Sequence, residues 1–436
     1  MTPPSATGLH QICGEPNLSG LRSLHGRVVD EILAAVADRR GPAAAEHLRA
    51  HGLDRLHEVI EVGDVGPIRD HVLETLRPEL LRMAVRVGRS VLGWEQDFYV
   101  DDYLILRINL PYDLARRTAA TAENPGIGRV SPAMRPIAQA RRTKDPLYDP
   151  AGYHRGHPPA AWAHGPHIDS WTGHSRDGIN IWWAMVEVPA EAGMVLYPEV
   201  ETTGLTCDRR TLYLQAGQPL PPPTFAPLAA GEMLVFDPEI LHGTHLNVTD
   251  RTRVAVSLRL NAGRPTFAPE AFYAREFWRS SKAIEAGDLD AVEHVRREDN
   301  LAPPTPQPPP PAPAHRVVRP SEPAAGPMTI ARSTDLPEGG RLVVELPERR
   351  IMVARQDGRL SALDARCPHY GVDLMDGGAR RGQLHCPACA VAFDLSTGGS
   401  TCSSLALTLF RIWEADGAVM LDASTPVGAA EPAMSA

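Results

Sequence analysis

The chain has 436 residues, with 44 Lys and Arg against 53 Asp and Glu and a formal net charge of −9. This length exceeds that of most single domains, so two or more domains are expected, each with its own core. The acidic balance, without long Lys/Arg runs, argues against nucleic acid as a partner. Four of the six cysteines share one short segment, which favours metal binding in a reducing compartment over a disulfide scaffold; they are Cys367, Cys386, Cys389 and Cys402.

No apolar run in the sequence approaches the roughly 20 residues that span a bilayer. The first residues, MTPPSATGLHQICGEPN, lack the basic and apolar segments of a signal peptide. The chain is therefore predicted to be cytoplasmic and to have no membrane partner. A homo-oligomer is compatible with the sequence.

Two stretches near the N-terminus carry apolar residues at helical spacing, VVDEILAAVADRR and IRDHVLETLRPELLRMAVRVGRSVLGW. They predict a helical part over about residues 1–98, with Pro78 kinking or splitting the second helix. From Tyr103 the pattern changes to short runs that predict strands, namely YLILRINLP, INIWWAMVEVP, GMVLYP, RTLYLQ, EMLVFDP and RVAVSLRLN. These runs predict a β-sandwich or barrel core over about residues 99–262.

The remaining segments complete a two-domain plan. Residues 114–165 are polar, rich in Arg and His, and too long for an ordinary connection, which indicates a lid or binding loop. A charged helical segment over 265–300 closes a first domain of residues 1–300. Residues 301–327 are dense in proline and predict a semi-rigid linker. A small β-rich domain at 328–425 and a tail at 426–436 follow, so the predicted fold class is mainly β with helices.

Two metal-ligating residues, His167 and Asp169, lie two positions apart in HGPHIDS. On an extended strand both side chains would point to the same face. The later segment FDPEILHGTHLNVTDRTRVAVSLRL offers a third ligand in His242 or His245. Two imidazoles and one carboxylate on one side of a metal form the facial triad of Fe(II) oxygenases, which leaves positions open for a chelating cosubstrate and dioxygen.

These segments resemble the phytanoyl-CoA dioxygenase-like branch of the Fe(II)/2-oxoglutarate dioxygenases, whose core is a double-stranded β-helix, or jelly roll. The resemblance covers roughly residues 100–262 and rests on the HxD pair and on HGTHLNVTDRTR. It implies that His242, rather than His245, is the third ligand to Fe(II). It also implies that Arg253 binds the far carboxylate of 2-oxoglutarate, with Thr244 as its hydroxyl companion. A guanidinium suits this task because it donates two parallel hydrogen bonds and keeps its charge.

Other polar residues near the motif have more than one interpretation. Arg107 and Asn109 in YLILRINLP share one strand face and either line the cosubstrate pocket or serve as buried structural groups. His245 is expected in the outer surroundings of the metal or at the surface. The histidines of the flanking loops are expected to be mostly solvated, with one or two touching substrate; they are His154, His157, His164 and His174.

Three other catalytic classes use similar ligands. A zinc hydrolase needs a general base close by, typically on a helix as in HExxH, and the sequence has no such motif. A cupin-type dioxygenase without 2-oxoglutarate would not require Arg253. A Rieske-type ring-hydroxylating oxygenase places its cluster domain first and its iron-binding histidines on a helix, whereas this chain has the reverse order and no such helix.

The C-terminal part contains two short motifs, C-x-H at Cys367 and His369 and C-x2-C at Cys386 and Cys389. Over residues 328–422 this part resembles the Rieske [2Fe-2S] fold, whose ligands usually read C-x-H and C-x2-H. Cys389 stands where the second histidine is usual. The resemblance implies a small all-β Rieske-like domain in which these four residues hold a [2Fe-2S] cluster.

Cys389 changes the expected properties of that cluster. A thiolate in place of a neutral imidazole adds negative charge next to iron, so the predicted reduction potential falls below the Rieske range. The alternatives are a tetrahedral zinc site with the same four ligands and a domain without metal. His385 would point away from its neighbour Cys386 on an extended segment, and Cys402 is expected to be a small buried residue.

Together the resemblances imply an Fe(II)/2-oxoglutarate-dependent dioxygenase, an oxidoreductase that oxidises a small molecule, with hydroxylation as the default and desaturation, ring closure or alcohol oxidation as alternatives. The expected substrate is a small molecule of secondary metabolism. Since 2-oxoglutarate supplies both electrons, the Rieske-like domain is expected to re-reduce ferric iron, to dock a reductase or ferredoxin, or to serve a structural role. The Arg- and His-rich residues 114–165 indicate a hydroxylated or anionic substrate. The alternative function is a metal-binding redox or sensor protein without turnover, with a structural zinc site in its tail.

Overall fold

The computed structural model describes residues 10–119, 149–154, 156–267, 277–291, 296–297, 315–320 and 326–427. Parts of the predicted lid, charged helical segment and linker lie outside the described residues. The chain divides into two compact units. The first comprises residues 1–198, 209–213 and 225–306, and the second comprises 199–208, 214–224 and 307–436.

The three longest helices of the first unit lie within residues 21–90, as the apolar spacing predicts, and three short helices follow later in the described part of the sequence. In chain order the helices are α1 (Leu21–Arg40), α2 (Pro42–His51), α3 (Val62–Ser90), α4 (Tyr112–Ala115), α5 (Pro150–His154) and α6 (Ser281–Glu285). Among the described residues, no helix combines the length and apolar character needed to cross a membrane.

Helix α3 is longer than the sequence predicts. A capping box begins it, in which the side chains of Glu61 and Asp64 each accept from the other's backbone N–H. The helix continues through Pro78, so the predicted split is wrong. Leu76 and Leu80 on either side of the proline are fully buried, and this packing offsets the hydrogen bond that the proline ring removes. The apolar face of α3 lies against the main sheet.

Strands, most of them paired antiparallel, form the sheets of the first unit. They are β1 (His10–Cys13), β2 (Tyr99–Asp101), β3 (Ile105–Asn109), β4 (Gly178–Ala184), β5 (Met194–Tyr197), β6 (Thr224–Ala226), β7 (Met233–Phe236), β8 (Leu241–Thr244), β9 (Arg253–Asn261), β10 (Thr266–Phe267), β11 (Trp278–Ser280) and β12 (Arg296–Arg297). The main sheet has the order β1-β7-β4-β9-β2-β11, with β3 also paired to β9. A second sheet has the order β6-β5-β8.

Two predicted elements differ from the structure. The run RTLYLQ forms no strand and contributes only an isolated bridge between Cys207 and Leu214. In the predicted helical segment at 265–300, the described residues contain the short helix α6 together with strands. Both errors have the same cause, because short amphipathic runs fit more than one local structure.

Strand β9 shows why this sheet can carry polar chemistry. Its residues alternate between two faces, and Val254 and Val256 on one face are fully buried. Arg253, Ser257 and Arg259 lie on the opposite face. The central strand therefore delivers apolar packing on one side and a row of polar groups on the other.

The second unit is also built of strands. They are β13 (Arg316–Val318), β14 (Met328–Arg332), β15 (Arg341–Leu346), β16 (Arg349–Gln356), β17 (Arg359–Asp364), β18 (Ala379–Arg380), β19 (Gln383–His385), β20 (Ala392–Asp394), β21 (Leu409–Ala415) and β22 (Ala418–Val427). The larger sheet has the order β13-β15-β16-β17-β21-β22-β14, and β18-β19-β20 form a small sheet. The predicted fold class, mainly β with helices, is confirmed.

Part of the second unit comes from residues far earlier in the sequence. The N–H of Gly217 donates to Oδ2 of Asp376 at 2.9 Å, and the N–H of Leu220 donates to the carbonyl of Asp376 at 2.8 Å. A Cβ on Gly378 would lie 2.1 Å from the nitrogen of Pro222, so glycine permits this close approach. Residues 214–224 thus pack on the turn that precedes β18.

Candidate metal centre and cluster loops

Three predicted ligands meet at one point in the first unit. One donor atom from each of His167, Asp169 and His242 lies within 4.8 Å of the other two. Nε2 of His167 is 3.5 Å from Oδ1 of Asp169, and Nε2 of His242 is 3.6 Å from the same oxygen. Backbone hydrogen bonds of 2.8 and 2.9 Å join His167 and His242 in both directions. This donor set suits one divalent metal ion with open positions.

Both imidazoles are turned so that Nε2 faces the carboxylate. Nδ1 of His167 donates to the carbonyl of Gly165, and Nδ1 of His242 donates to the carbonyl of Ile240, each at 2.8 Å. A carbonyl oxygen can only accept, so in the neutral rings each Nε2 keeps its lone pair. Burial lowers the pKa of His242 to about 4, so this ring is neutral at pH 7. Nε2 is therefore the atom available to a metal.

Asp169 lies where an extended segment meets a turn. Ile168, between the two ligand candidates, is extended with φ of −108° and ψ of 146°, and the 3-10 turn Asp169–Thr172 begins directly after it. The N–H of Asp169 donates to the carbonyl of Pro238 at 3.0 Å, and Oγ1 of Thr172 donates to the carbonyl of Asp169 at 2.9 Å. The extended residue is consistent with the alternation expected of HxD, and the turn holds the backbone of Asp169.

The second carboxylate oxygen of Asp169, Oδ2, has its own donors. Nδ2 of Asn180 donates to it at 2.9 Å, and Nε of Arg259 donates at 3.4 Å. Burial raises the pKa of this carboxyl, but Arg259 and the nearby histidines lower it by more, so the pKa lies well below its usual range. The carboxylate is ionised at neutral pH, as a metal ligand must be.

The inner face of β9 carries a buried cation, Arg253, which is 4% exposed. Its Nη1 donates to the carbonyl of Ala192, and its Cζ lies 6.0 Å from the ring centre of Trp182. Among the described residues, no carboxylate pairs with Arg253 and its Nε has no hydrogen-bond partner. Burial, followed by the neighbouring Arg107, lowers the pKa of Arg253 to about 9. The site therefore holds a cation that an incoming carboxylate would neutralise.

Arg107 and Asn109 lie on β3 beside this cation. In the sheet register Arg107 pairs with Ala255 and Asn109 pairs with Arg253. Nε of Arg107 donates to Oγ of Ser257 at 2.9 Å. Arg107 and Asn109 thus share the face of Arg253, and their contact with a cosubstrate stays a prediction.

The HGT motif locks a neighbouring loop in place. The N–H of Thr244 donates to the carbonyl of His164 at 2.9 Å, and the N–H of His164 donates to Oγ1 of Thr244 at 2.8 Å. A Cβ on Gly243 would lie 2.7 Å from the carbonyl oxygen of His164, so only glycine fits there. The hydroxyl of Thr244 retains its proton for another acceptor, and its contact with 2-oxoglutarate stays a prediction.

The histidines of the flanking loops are more buried than expected. His154 and His174 are 0% and 8% exposed, which contradicts the expectation that most of these residues are solvated. His154 stacks on Trp162 with ring centres 3.9 Å apart. The hydroxyl of Tyr213 lies 3.3 Å from Nδ1 of His164. Aromatic side chains thus contact the imidazoles of His154 and His164.

His245 does not belong to the group of donor atoms around Asp169. Its Nδ1 donates to the carbonyl of Leu246 at 2.5 Å, and its ring lies 5.8 Å from that of Phe225. His245 is 3% exposed, so the surface location that the sequence left open is wrong. It is a packed residue beside the strand that carries His242.

The sequence patterns do not single out Asn180, Arg259 or Tyr213, although all three contact ligand residues or their neighbours. Asn180 and Arg259 are polar residues inside the apolar runs GINIWWA and RVAVSLRLN. A polar residue within a buried strand is the signal that indicates such groups, because burial requires a hydrogen-bond partner.

The two cysteine motifs of the second unit form loops of the same backbone design. In each loop the N–H of the first cysteine, Cys367 or Cys386, donates to the carbonyl five residues later, at 2.9 Å. The N–H four residues later donates back to that cysteine, at 2.8 and 3.0 Å. The residue at this fourth position has a left-handed backbone, with φ of 68° at Gly371 and 61° at Ala390. Each loop therefore holds its first cysteine by its own backbone.

The thiols of Cys367, Cys386 and Cys389 lie within 4.8 Å of one another, and all three residues are buried. Burial raises the pKa of Cys386 and of Cys389, whereas hydrogen bonds from these two thiols lower the pKa of Cys367. His369 is buried and stacks on Tyr370 with ring centres 3.7 Å apart, and it is not part of this close group. Three buried thiols with a histidine on the same loop fit an iron-sulfur or zinc site.

Two further residues of this segment behave as expected. Cys402 is 4% exposed, with Sγ 3.2 Å from Oγ of Ser404, which confirms the prediction of a small buried residue outside the ligand set. His385 lies outside the thiol group, and its Nδ1 is 3.5 Å from the carbonyl of Ala390. Neither residue is positioned as a substitute ligand.

Comparison with known families gives two matches. The phytanoyl-CoA dioxygenase (PhyH) model matches residues 109–255, which contain His167, Asp169, His242 and Arg253. The Rieske [2Fe-2S] domain model matches residues 326–405, which contain both cysteine loops. These families imply Fe(II) with 2-oxoglutarate and a [2Fe-2S] cluster, and the donor groups of the two sites fit such cofactors.

Individual relatives match the C-terminal part. Apoptosis-inducing factor 3 of Mus musculus is 33% identical over 107 residues, and that of Homo sapiens is 30% identical over the same length. Each alignment covers 24% of this chain and 16% of the relative, so the chain spans about a sixth of the length of these curated relatives.

Solved structures that match this chain include two ferredoxins. The ferredoxin of carbazole 1,9a-dioxygenase from Nocardioides aromaticivorans IC177 is 20% identical, covering 22% of this chain and 97% of its own, with a TM-score of 0.21. The Sphingomonas yanoikuyae B1 ferredoxin is 21% identical, covering 22% and 96%, with the same score. The chain thus carries two family matches in this order along the sequence, a phytanoyl-CoA dioxygenase match followed by a C-terminal Rieske [2Fe-2S] match.

Proposed function

We propose that the chain is an Fe(II)- and 2-oxoglutarate-dependent dioxygenase that oxidises a small molecule of secondary metabolism. His167, Asp169 and His242 hold the iron through Nε2, Oδ1 and Nε2. When bound, iron with 2-oxoglutarate supplies O2-dependent oxidation of a substrate C–H bond, with hydroxylation as the default outcome and succinate and carbon dioxide as coproducts. Two histidines and one carboxylate oxygen leave three positions of an octahedral ion for cosubstrate and dioxygen.

The observation that carries this proposal is the buried guanidinium of Arg253. Among the described residues it has no acidic partner, and its Nε has no acceptor. A buried charge without a counter-ion is costly unless a ligand compensates it. The distal carboxylate of 2-oxoglutarate has the required charge, and it can accept parallel hydrogen bonds from a guanidinium.

Neighbouring side chains complete the proposed cosubstrate site. Thr244 offers its hydroxyl proton, since its oxygen already accepts from the backbone of His164. Arg107 adds a second positive charge on the same inner face. Two cations on one face favour an anionic ligand over a neutral one. The flat ring of Trp182 lies over Arg253 and limits access of water to it.

The C-terminal domain is proposed to hold a [2Fe-2S] cluster through Cys367, His369, Cys386 and Cys389. Its proposed task is to return iron from the ferric to the ferrous state after turnover that fails to oxidise substrate. A reductase or ferredoxin is the proposed external electron donor. The low potential expected from the third cysteine suits an electron donor better than an acceptor.

The direct test is succinate release from 2-oxoglutarate by the full-length chain. Release that requires both added Fe(II) and oxygen supports the dioxygenase. Iron binding without any succinate, across a screen of small-molecule substrates and with uncoupled turnover included, supports the metal-sensing alternative instead.

A charge test isolates the role of Arg253. Arg253→Ala should weaken 2-oxoglutarate binding by roughly 30-fold or more, because a hydrogen-bonded charged partner is worth about 2–5 kcal/mol, while bound iron stays at the wild-type level. Arg253→Lys keeps the charge and should lose less. Arg279→Met is the matched control, since it removes another buried arginine whose partners are Asp102 and backbone carbonyls. Equal 2-oxoglutarate affinity in Arg253→Ala and wild type would overturn the assignment.

A further inference from the structure

Asp169 has two carboxylate oxygens with different surroundings. Oδ1 faces Nε2 of both histidines of the triad. Oδ2 accepts from Nδ2 of Asn180 at 2.9 Å and from Nε of Arg259 at 3.4 Å. The side chain of Asp169 is 3% exposed and that of Arg259 is 14% exposed, so solvent screens these bonds little.

The sheet register fixes the two donors. Asn180 on β4 pairs directly with Arg259 on β9, so their side chains lie next to each other on one face. Strand β2 lies on the other side of β9 and ends at Asp101. Val100 pairs with Leu260, so Asp101 lies beside Arg259, the next residue along β9. The guanidinium of Arg259 is therefore flanked by an amide on one strand and a carboxyl on the next. The register thus places both donors on the side of the sheet that faces Oδ2.

We propose that Asn180 and Arg259 are positioning residues that restrict Asp169 to a single metal-binding oxygen. This inference rests on the proposed metal site at His167, Asp169 and His242. A carboxylate can bind a metal through one oxygen or through both. Because Oδ2 is held by two donors on the far side, Oδ1 alone is directed at the metal.

The restriction matters because of the number of open positions. Two histidines and one oxygen occupy three positions of an octahedral ion, which leaves three. A chelating cosubstrate takes two of them and dioxygen needs the third. A second oxygen from Asp169 would remove that third position, so a two-oxygen Asp169 would permit metal binding but compete with either cosubstrate or dioxygen.

The experiment counts exchangeable waters on Mn(II) bound to the full-length chain, from the broadening of its electron paramagnetic resonance lines in ¹⁷O-enriched water. Wild type should carry three waters in the absence of 2-oxoglutarate. The double variant Asn180→Ala/Arg259→Met should carry two, because the released Oδ2 turns to the metal. Its 2-oxoglutarate affinity should also fall, because the released Oδ2 competes for a position that the cosubstrate needs.

Controls separate positioning from general damage. The single variant Arg259→Lys keeps Asn180 and a cationic donor, so it should carry three waters like the wild type. Arg279→Met removes a buried arginine that does not contact Asp169, and it should lower stability without changing the water count. If the double variant does not fold, Asn180→Ala alone carries the test, since it removes the shorter of the two bonds.

The outcomes distinguish two failures. Wild-type chain that binds no Mn(II) contradicts the proposed metal site itself. Wild type with three waters and a double variant that also keeps three would overturn only the positioning role of Asn180 and Arg259.

Discussion

The two sets of proposed metal ligands are held in place in different ways. In the triad, Asp169 depends on donors from other strands, with Asn180 and Arg259 lying 11 and 90 residues away. In the cluster loops, each first cysteine is held by backbone hydrogen bonds within its own loop. The first site therefore depends on sheet register, and the second depends mainly on local turn geometry.

The largest expected effect comes from removing a triad ligand. His242→Ala should abolish Fe(II) binding and succinate release, because no other described residue offers a donor in that position. His245→Ala is the matched control, as it removes a buried histidine three residues later whose Nδ1 donates to the carbonyl of Leu246. Iron content after anaerobic loading measures the difference. Iron loss in both variants, or in neither, would contradict the choice of His242.

The contrast between the sites explains how far the sequence predicted each one. HxD and HGTHLNVTDRTR indicated His167, Asp169 and His242, and the structure brings these three together. The sequence did not indicate that a 3-10 turn begins at Asp169, since a short polar stretch such as DSWT fits a strand or a turn equally. It also missed Asn180 and Arg259, because their contact with Asp169 exists only once β4 and β9 are in register.

The cluster loops were easier to predict because their information is local. A cysteine is followed by a proline in both loops and by a glycine four residues later in the first loop, and the hydrogen bonds stay inside the loops. The close group of three thiols was anticipated, whereas the placement of His369 outside that group was not. Side-chain position depends on packing against Tyr370, which a ligand motif does not encode.

Because each cluster loop is held by its own backbone, one ligand of the second site should be replaceable without disturbing the loop. Cys389→His should raise the reduction potential by a few hundred millivolts, because histidine ligation separates Rieske clusters from all-cysteine clusters by about that amount. Cys402→Ser is the control, since this cysteine lies outside the thiol group and should leave the potential unchanged. Spectroelectrochemical titration measures both. A colourless wild-type chain that contains zinc would instead indicate the tetrahedral zinc site.

The stability of the first unit should depend on pH through Asp101, the carboxyl beside Arg259. Burial raises the pKa of Asp101, beside Arg259, to about 7, and the charge of Arg259 opposes this shift. The unfolded chain binds fewer protons than the folded chain between the ordinary pKa of 3.8 and this value, so stability falls as pH rises through that window and is constant above it. The slope is about 1.4 kcal/mol per pH unit.

Asp101→Asn removes the titration and should therefore flatten the wild-type decline between pH 5 and pH 7 by about 3 kcal/mol. Urea unfolding at several pH values measures it. Asp250→Asn, at an exposed carboxylate, should keep the wild-type slope. A decline of equal size in Asp101→Asn and wild type would mean that Asp101 is ionised or hydrated in the folded chain.

The smallest expected effect is a change in folding stability that differs between the two cluster loops. They share one backbone design, yet the left-handed position is glycine in the first loop, Gly371, and alanine in the second, Ala390. A side chain in this conformation is strained by roughly 1 kcal/mol, and glycine removes the strain. Ala390→Gly should therefore stabilise the folded chain by about 0.5–1 kcal/mol. Gly371→Ala should destabilise it by a similar amount, since nothing lies within 4 Å of the added Cβ and the strain lies in the backbone alone.

Stability changes of opposite sign for the two variants, measured by urea unfolding, would show that local backbone preference sets the conformation of the loops. Equal signs would mean that packing around Ala390 dominates, and the local character assigned to the cluster loops would then be wrong.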